Sequence, residues 1–357
     1  MNYRHAVILD ETDLGASGTK TIDDFGVDPI SRMTIMFRPV GGSNAAVAHP
    51  AESISKIELV DGSDVLFSLT GYQVQAINIL RAKRPHPQVI HFFTGGTPQV
   101  PFHMDFGRYL WDEQLAFEPS RFKNPQLKIT WDETAWDASC SSHGISVHAH
   151  VFDEKKISPS GFLMYKEIKA YTPVSGANEY TNLPTDFPHR ALFIQGFCIG
   201  GGLRAIVREV RLDEDNDKRV IINGDVDLLR NYLDEFWGDA IDTIVATIAA
   251  TSTTLYCTPH NHNTVVAMVD QVDGDVGGKD LSGGRFWVEA EASGLGNITV
   301  RGKNPHGVMG IPFGRQELIE DWYNVSQVGK LRLRIVGGPN SSASYTNRIV
   351  CEQLRSY

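Results

Sequence analysis

The chain has 357 residues, of which 41% are hydrophobic and 21% charged, and a formal net charge of −10. That length suits two domains with substantial cores, and the composition argues against a disordered or low-complexity chain. The acidic balance argues against a phosphate-binding surface, which needs clustered Lys and Arg, so no direct nucleic-acid partner is expected.

In chain order, residues 1–30 are acidic, carrying Asp10, Glu11, Asp13, Asp23 and Asp24. Short alternating or β-branched runs then predict strands at 33–37, 54–59, 65–69, 127–131 and 145–151. Apolar spacing predicts a helix over 72–81. The second half predicts strands at 191–199, 205–212, 220–222, 264–269, 285–290, 297–300, 331–336 and 347–351, with a second helix over 225–236. A third helix is considered over 240–250, although its Thr and Val content opposes it. The apolar stretch from Ala240 to Cys257 is interrupted by Asp242 and many Thr and Ser residues, a poor membrane span. Cys140, Cys198, Cys257 and Cys351 lie far apart with no CxxC spacing, which fits reduced thiols and synthesis in a cytosol.

Residues 57–80 and 210–233 align without a gap. Ile57-Glu-Leu59, Asp64, Gly71 and Leu80 face Val210-Arg-Leu212, Asp217, Gly224 and Leu233. Two later landmarks repeat in the same order: Phe106-Gly107-Arg108 with Phe313-Gly314-Arg315, and Leu127-Lys-Ile129 with Leu331-Arg-Leu333. An ancestral β-unit therefore reads as duplicated, the second copy carrying an insertion near 238–305. Gly71 and Gly224, and likewise Gly107 and Gly314, are read as structural turns, with Arg108 and Arg315 at equivalent positions near loop carboxylates.

The phrases Ile54 to Ser63, with the Gly and helix that follow, and Phe106-Gly-Arg108 through Phe122-Lys-Asn-Pro-Gln-Leu127-Lys-Ile129-Thr resemble those of double jelly-roll major capsid proteins. These belong to the tectivirus–adenovirus lineage, the likeness being greatest to the small membrane-containing bacteriophages of the corticovirus and finnlakevirus type. The resemblance implies an all-β fold of two tandem eight-stranded jelly-roll β-sandwiches, each with a short flanking helix. An N-terminal arm over 1–30, contacting neighbours or the layer beneath, precedes them; the first spans 31–160 and the second 161–357. It implies a homotrimer of pseudo-hexagonal outline, tiling an icosahedral shell with neighbouring trimers, a separate vertex protein and an internal membrane. The insertion is then expected to be an outward tower or an intersubunit clasp, and no enzymatic chemistry or cofactor is implied.

Chemistry-bearing clusters are few. Asp270, Asp273 and Asp275 surround a Gly turn and are the calcium candidates, the lineage using calcium between subunits, with Asp213 to Asp217 as an alternative cluster. Cys257-Thr-Pro-His260-Asn-His262 lacks a second spaced pair of metal ligands, and His148 and His150 read as a solvent-facing strand. Gly200-Gly-Gly202 has no Lys-Ser/Thr to cradle a phosphate. A rival from another class is a two-jelly-roll carbohydrate-binding or carbohydrate-active protein, resting on Trp131-Asp-Glu133 and Trp136-Asp137. Trp111, Tyr171, Tyr180, Phe187 and Trp322 read as further loop aromatics, which cap their own cores or anchor an interface.

Overall fold

The computed structural model describes every residue except 43–45, 84–85, 141, 234, 251–252, 270–275 and 291–292. The first unit contains β1 (Tyr3–Thr12), β2 (Ser17–Ile22), β3 (Ile30–Pro39), β4 (Ile54–Asp61) and β5 (Asp64–Leu69). It continues with α1 (Gly71–Ala82), a short β6 (Ile90–Phe92), β7 (Val100–Asp105), β8 (Pro125–Asp132) and β9 (His143–Phe152). Its sheets have the orders β1-β9-β3-β7 and β2-β8-β4-β5, the connectivity of an eight-stranded jelly roll.

The expected N-terminal arm is corrected here: β1 and β2 are the first strand of each sheet, pairing with β9 and β8. Both are edge strands with one open face, so polar residues interrupt their apolar pattern. Charges such as Asp10 and Glu11 on such an edge discourage indiscriminate pairing. Ile22 and Phe25 are nevertheless buried in the first core, against Ile35, Phe102 and Trp131.

The second unit repeats the plan. It contains β10 (Gly161–Tyr171), β11 (Asn178–Leu183), β12 (His189–Gly196), β13 (Val207–Glu214), β14 (Arg219–Asp225) and α2 (Val226–Tyr232). The insertion follows as β15 (Ala240–Ile248), β16 (Thr253–Tyr256), β17 (Pro259–Val269), β18 (Val276–Asp280), β19 (Arg285–Ala290) and β20 (Gly294–Pro305). The roll then closes with β21 (Val308–Pro312), β22 (Leu331–Gly337) and β23 (Asn347–Ser356). The orders β10-β23-β12-β21 and β11-β22-β13-β14 reproduce those of the first roll. Strands β5 and β10 pair in parallel at Phe67↔Tyr165 and Ser68↔Lys166, fusing one sheet of each roll into a single eight-stranded sheet.

The gapless repeat holds for β4 and β13 and then slips. The first hairpin turns through two residues, Gly62 and Ser63, and the second through four, 215–218. In that longer turn Asp215, Asn216 and Asp217 all have positive φ, a conformation that Asn and Asp tolerate better than most side chains. From there the true offset is two residues larger, so the counterpart of Gly71 is Val226, not Gly224. The helices begin at equivalent caps, Thr70 and Asp225.

Helix α1 is fixed by a capping box, in which Thr70 accepts from the Gln73 amide and the Gln73 side chain accepts from the Thr70 amide. The second helix ends at Tyr232, four residues short of the sequence expectation. The helix considered over 240–250 is instead strand β15. Ala240, Asp242, Ile244, Ala246 and Ile248 alternate inward with period 2, and the β-branched residues suit a strand. The insertion forms a small sandwich, β17-β20-β15-β6 over β16-β19-β18. Its core of Ile244, Leu255, Phe286, Val288 and Ile298 is completed by Ile90 and Phe92 of β6 and by Trp136, all from the first roll.

Candidate functional site

Among the described residues three places where the units meet stand out, and the first joins the two rolls. Arg190 Nη1 donates to Glu352 Oε1 at 2.5 Å, and the Tyr165 hydroxyl donates to the same oxygen at 2.8 Å. Arg81, from the last turn of α1, donates to the Tyr165 oxygen and lies 3.8 Å from Glu352. Glu352 is fully buried. Burial alone would raise its pKa, but Arg190 and Arg81 hold the carboxyl below its usual range. Above this cluster Gln73 Nε2 donates to Glu167 at 2.8 Å, and Arg348 holds the same carboxylate at 2.9 Å. The Phe-Gly-Arg points also bridge the rolls: Arg108 pairs with the buried Asp112 and donates to the Glu317 carbonyl at 2.8 Å.

The second junction ties the insertion to the first roll through a buried polar seam. His306 Nε2 donates to Gln75 Oε1 at 2.5 Å, and Gln75 Nε2 donates to Gln88 Oε1 at 2.6 Å. Gln88 Nε2 in turn donates to Asp242 at 2.6 Å and to Thr258 Oγ1 at 2.9 Å. His49 Nδ1 accepts from the Ala51 amide, which leaves the proton of the neutral ring on Nε2, facing Thr258 Oγ1 at 3.4 Å. Tyr72 stacks on His306 with centroids 4.1 Å apart. Burial pushes His49 down to about 3 and His306 well below the usual histidine range, and raises Asp242 to about 6. The third junction is an open cleft of about 540 Å³ where both rolls and the insertion meet, lined by Glu52, Tyr72, Phe197, Tyr256, Arg285 and Arg348 among others.

The residues singled out from the sequence fall in separate places. Gly71 and Gly107 have ordinary φ and are constrained by space: a Cβ on Gly71 would lie 2.5 Å from the Ala51 carbonyl oxygen, and one on Gly107 2.7 Å from that of Leu115. Gly314 has φ +68 and leaves no room beside the Asp321 carbonyl, whereas Gly224 lies within β14 against Leu229. Arg315 pairs with Asp321 at an exposed site, unlike Arg108. Asp270, Asp273 and Asp275 lie outside the described residues. Asp213 and Asp217 are engaged by Arg332 at 3.0 and 3.1 Å, and no group of three His, Cys, Asp or Glu among the described residues is placed to hold a metal. His260 is buried and accepts from the Cys198 amide at 3.4 Å. His148 and His150 do share a face, and His5 of β1 joins them, with ring centroids 5.3 and 5.0 Å away.

Of the aromatic and carboxylate residues behind the carbohydrate reading, Asp132 is exposed and the others are interior. Trp131 is buried and donates to the Gly15 carbonyl, Glu133 is bonded to His143, and Trp136 and Asp137 are enclosed, Asp137 accepting from Gly42 and Ser139 amides. Trp322 is likewise buried, and Tyr171 and Tyr180 belong to strands β10 and β11. Trp111 packs on Tyr3 and Phe152, and Phe187 lies under the Arg355 guanidinium. The junction residues Arg81, Tyr165, Arg190 and Glu352 carry no sequence motif.

No family model matches the chain, and no curated protein sequence matches it. Solved structures do. The major capsid protein of Sulfolobus Turreted Icosahedral Virus is 10% identical with a TM-score of 0.61, covering 99% of this chain and 96% of that one. The major capsid protein of bacteriophage PM2 is 11% identical with a TM-score of 0.55, covering 99% and 98%. The PBCV-1 virus capsid chain is 10% identical with a TM-score of 0.59, covering 99% and 94%. The fold of this chain is the double jelly roll of these proteins, along its full length.

Proposed function

We propose that this chain is a structural major capsid protein, a building block of an icosahedral virus shell that acts through its surfaces rather than through a catalytic pocket. The observation that carries this reading is architectural. Two complete jelly rolls are welded through one continuous sheet and a buried ion cluster, and viral capsid proteins share that fold over 99% of this chain. A rigid two-roll block leaves its loops and insertion free to specialise as contacts. On this reading three copies form a pseudo-hexagonal unit, units tile the shell of a bacterial virus, and the insertion is a tower or a clasp between neighbours. A vertex protein and an internal membrane are the partners such a shell would meet.

The test is light scattering on the purified chain, followed by electron microscopy. A particle of three chain masses that survives dilution, with a hexagonal outline, is expected. A stable monomer that binds oligosaccharides would overturn the reading.

A further inference from the structure

The outer face of β10-β23-β12-β21 is only partly covered by α1. Leu192, Ile194, Ile349 and Cys351 point into the core of the second roll. Phe193 and Val350 point outward and share a core with Val74 and Ile77 of α1. The helix begins at Gly71. Past its start the same outward face continues as Gln195 and Arg348, partners across β12 and β23, and then Phe197, all lining the open cleft. The insertion supplies the facing wall. Leu255 and Phe286 point into its core, so their neighbours Tyr256 and Arg285, partners across β16 and β19, point the opposite way, over the cleft. The volume of about 540 Å³ lies within the range of small-molecule sites, roughly 300–1,000 Å³.

Two polar groups lining this space have no partner in the protein. Gln195 is 5% exposed, and its Nε2 donates to the His306 carbonyl at 3.2 Å. That bond fixes which way round the amide lies and leaves Oε1 buried without a hydrogen bond. Arg285 Nε is also shielded from solvent and unbonded, and among the described residues Arg285 makes no ion pair. The other charges are engaged. Arg348 holds both oxygens of Glu167, at 3.0 and 2.9 Å, and also attracts Glu52, which bonds the Tyr72 side chain. A buried donor or acceptor left unbonded costs stability, so two of them lining one cavity mark a place where a third body binds.

The walls say what kind of body. Tyr72 stacks on Phe197 with centroids 5.4 Å apart and planes 29° from parallel, and Tyr256 and Tyr345 extend the aromatic surface above Ala51 and Ile54. Such faces suit a flat ring system. The Nε edge of a guanidinium matches a carboxylate. A dianion would gain less, because Glu52 and Glu167 already crowd Arg348.

We propose that this cleft binds a small aromatic monoanion, with its ring against the tyrosines, its carboxylate on Arg285 and a hydroxyl or amine donating to Gln195 Oε1. Every group of the site belongs to one chain, so the site is complete whether or not copies assemble.

The test is calorimetric titration of the full chain with 6-hydroxy-2-naphthoate as the probe. One molecule per chain should bind. The uncharged 6-hydroxy-2-naphthamide and the hydroxyl-free 2-naphthoate should each bind about tenfold more weakly. The dianion 2-naphthyl phosphate should bind no better than 2-naphthoate. Arg285→Gln should bring the acid down to the amide, leaving the amide and Tm where they were. Ser344→Trp, at an exposed position of the lining, should weaken acid and amide alike without lowering Tm. A wild-type chain that binds none of the probes, or binds acid and amide equally, overturns the proposal, the cleft then holding water alone. Acid binding that survives both variants places the anion elsewhere and overturns it too, and tighter binding of the phosphate overturns the monoanion. None of these results touches the shell reading, which light scattering tests separately.

Discussion

Helices α1 and α2 start from equivalent caps at the same point of the repeat, and the chain treats them differently. The first runs 12 residues and buries most of its length between two rolls. The second runs 7 residues, buries Val226 and Leu229, and leaves Leu228 and Tyr232 in solvent. Isolated short helices are marginal in water, so tertiary cover rather than propensity sets the length that survives. The contrast teaches that equivalent positions in a duplicated fold diverge according to what covers them.

The largest test of that contrast lies in the buried cluster. Glu352→Ala leaves Arg190 and Arg81 without their carboxylate and should cost about 3–5 kcal/mol, read as a shift in urea midpoint. His150→Ala, at the same repeat position on the uncovered face, should cost within about 1 kcal/mol in the same assay. Equal costs would mean that cover does not govern the difference.

Acid should separate the covered and uncovered histidines next. His49, at about 3 in the fold against an unfolded value near 6.5, keeps its stability above pH 6.5 and loses it as pH falls towards 3. His306 acts in the same direction. Asp242 has the opposite sign: with a folded value of about 6, it favours the fold when protonated, and that contribution fades as pH rises from about 4 to 6. Thermal melts from pH 7 to 4 should fall in the wild type and fall less steeply in His49→Gln. An unchanged slope would count against the seam as the acid-sensitive element.

The Phe-Gly-Arg pair gives a smaller difference. Arg108 is 8% exposed against a fully buried Asp112, while Arg315 is 70% exposed. Arg108→Ala should therefore cost about 2–4 kcal/mol, because it strands a buried carboxylate. Arg315→Ala should leave the urea midpoint essentially unchanged, because the exposed pair with Asp321 is screened by water. Smallest is the pair of caps: Thr70→Ala should cost about 1–2 kcal/mol by undoing the capping box, and Asp225→Ala about 1 kcal/mol or less, both by chemical denaturation.

Much of this was legible in residues. Strands β4 and β13, the Gly that opens α1, the Phe-Gly-Arg points and the insertion all left local patterns, because a buried face imposes period 2 or 3.6 on nearby residues. The duplication was legible for the same reason, and it slipped only at a turn, where two extra residues leave no periodic trace. Strands β1 and β2 escaped because edge strands with an open face do not alternate cleanly. Strand β15 was ambiguous because a short apolar run of Ile, Thr, Val and Ala suits either element. The junction chemistry was not legible at all: Arg81, Tyr165, Arg190 and Glu352 are scattered along the chain and meet only after both rolls form.

Composition and periodicity, then, were enough to establish an all-β chain, its doubling and the site of its insertion, because these depend on interactions between near neighbours. Which edges are covered and which stand open was settled by folding, through the parallel pairing of β5 with β10. Sheet edges carry generic backbone groups, so nothing in the side-chain pattern says which edge will find a partner within the chain.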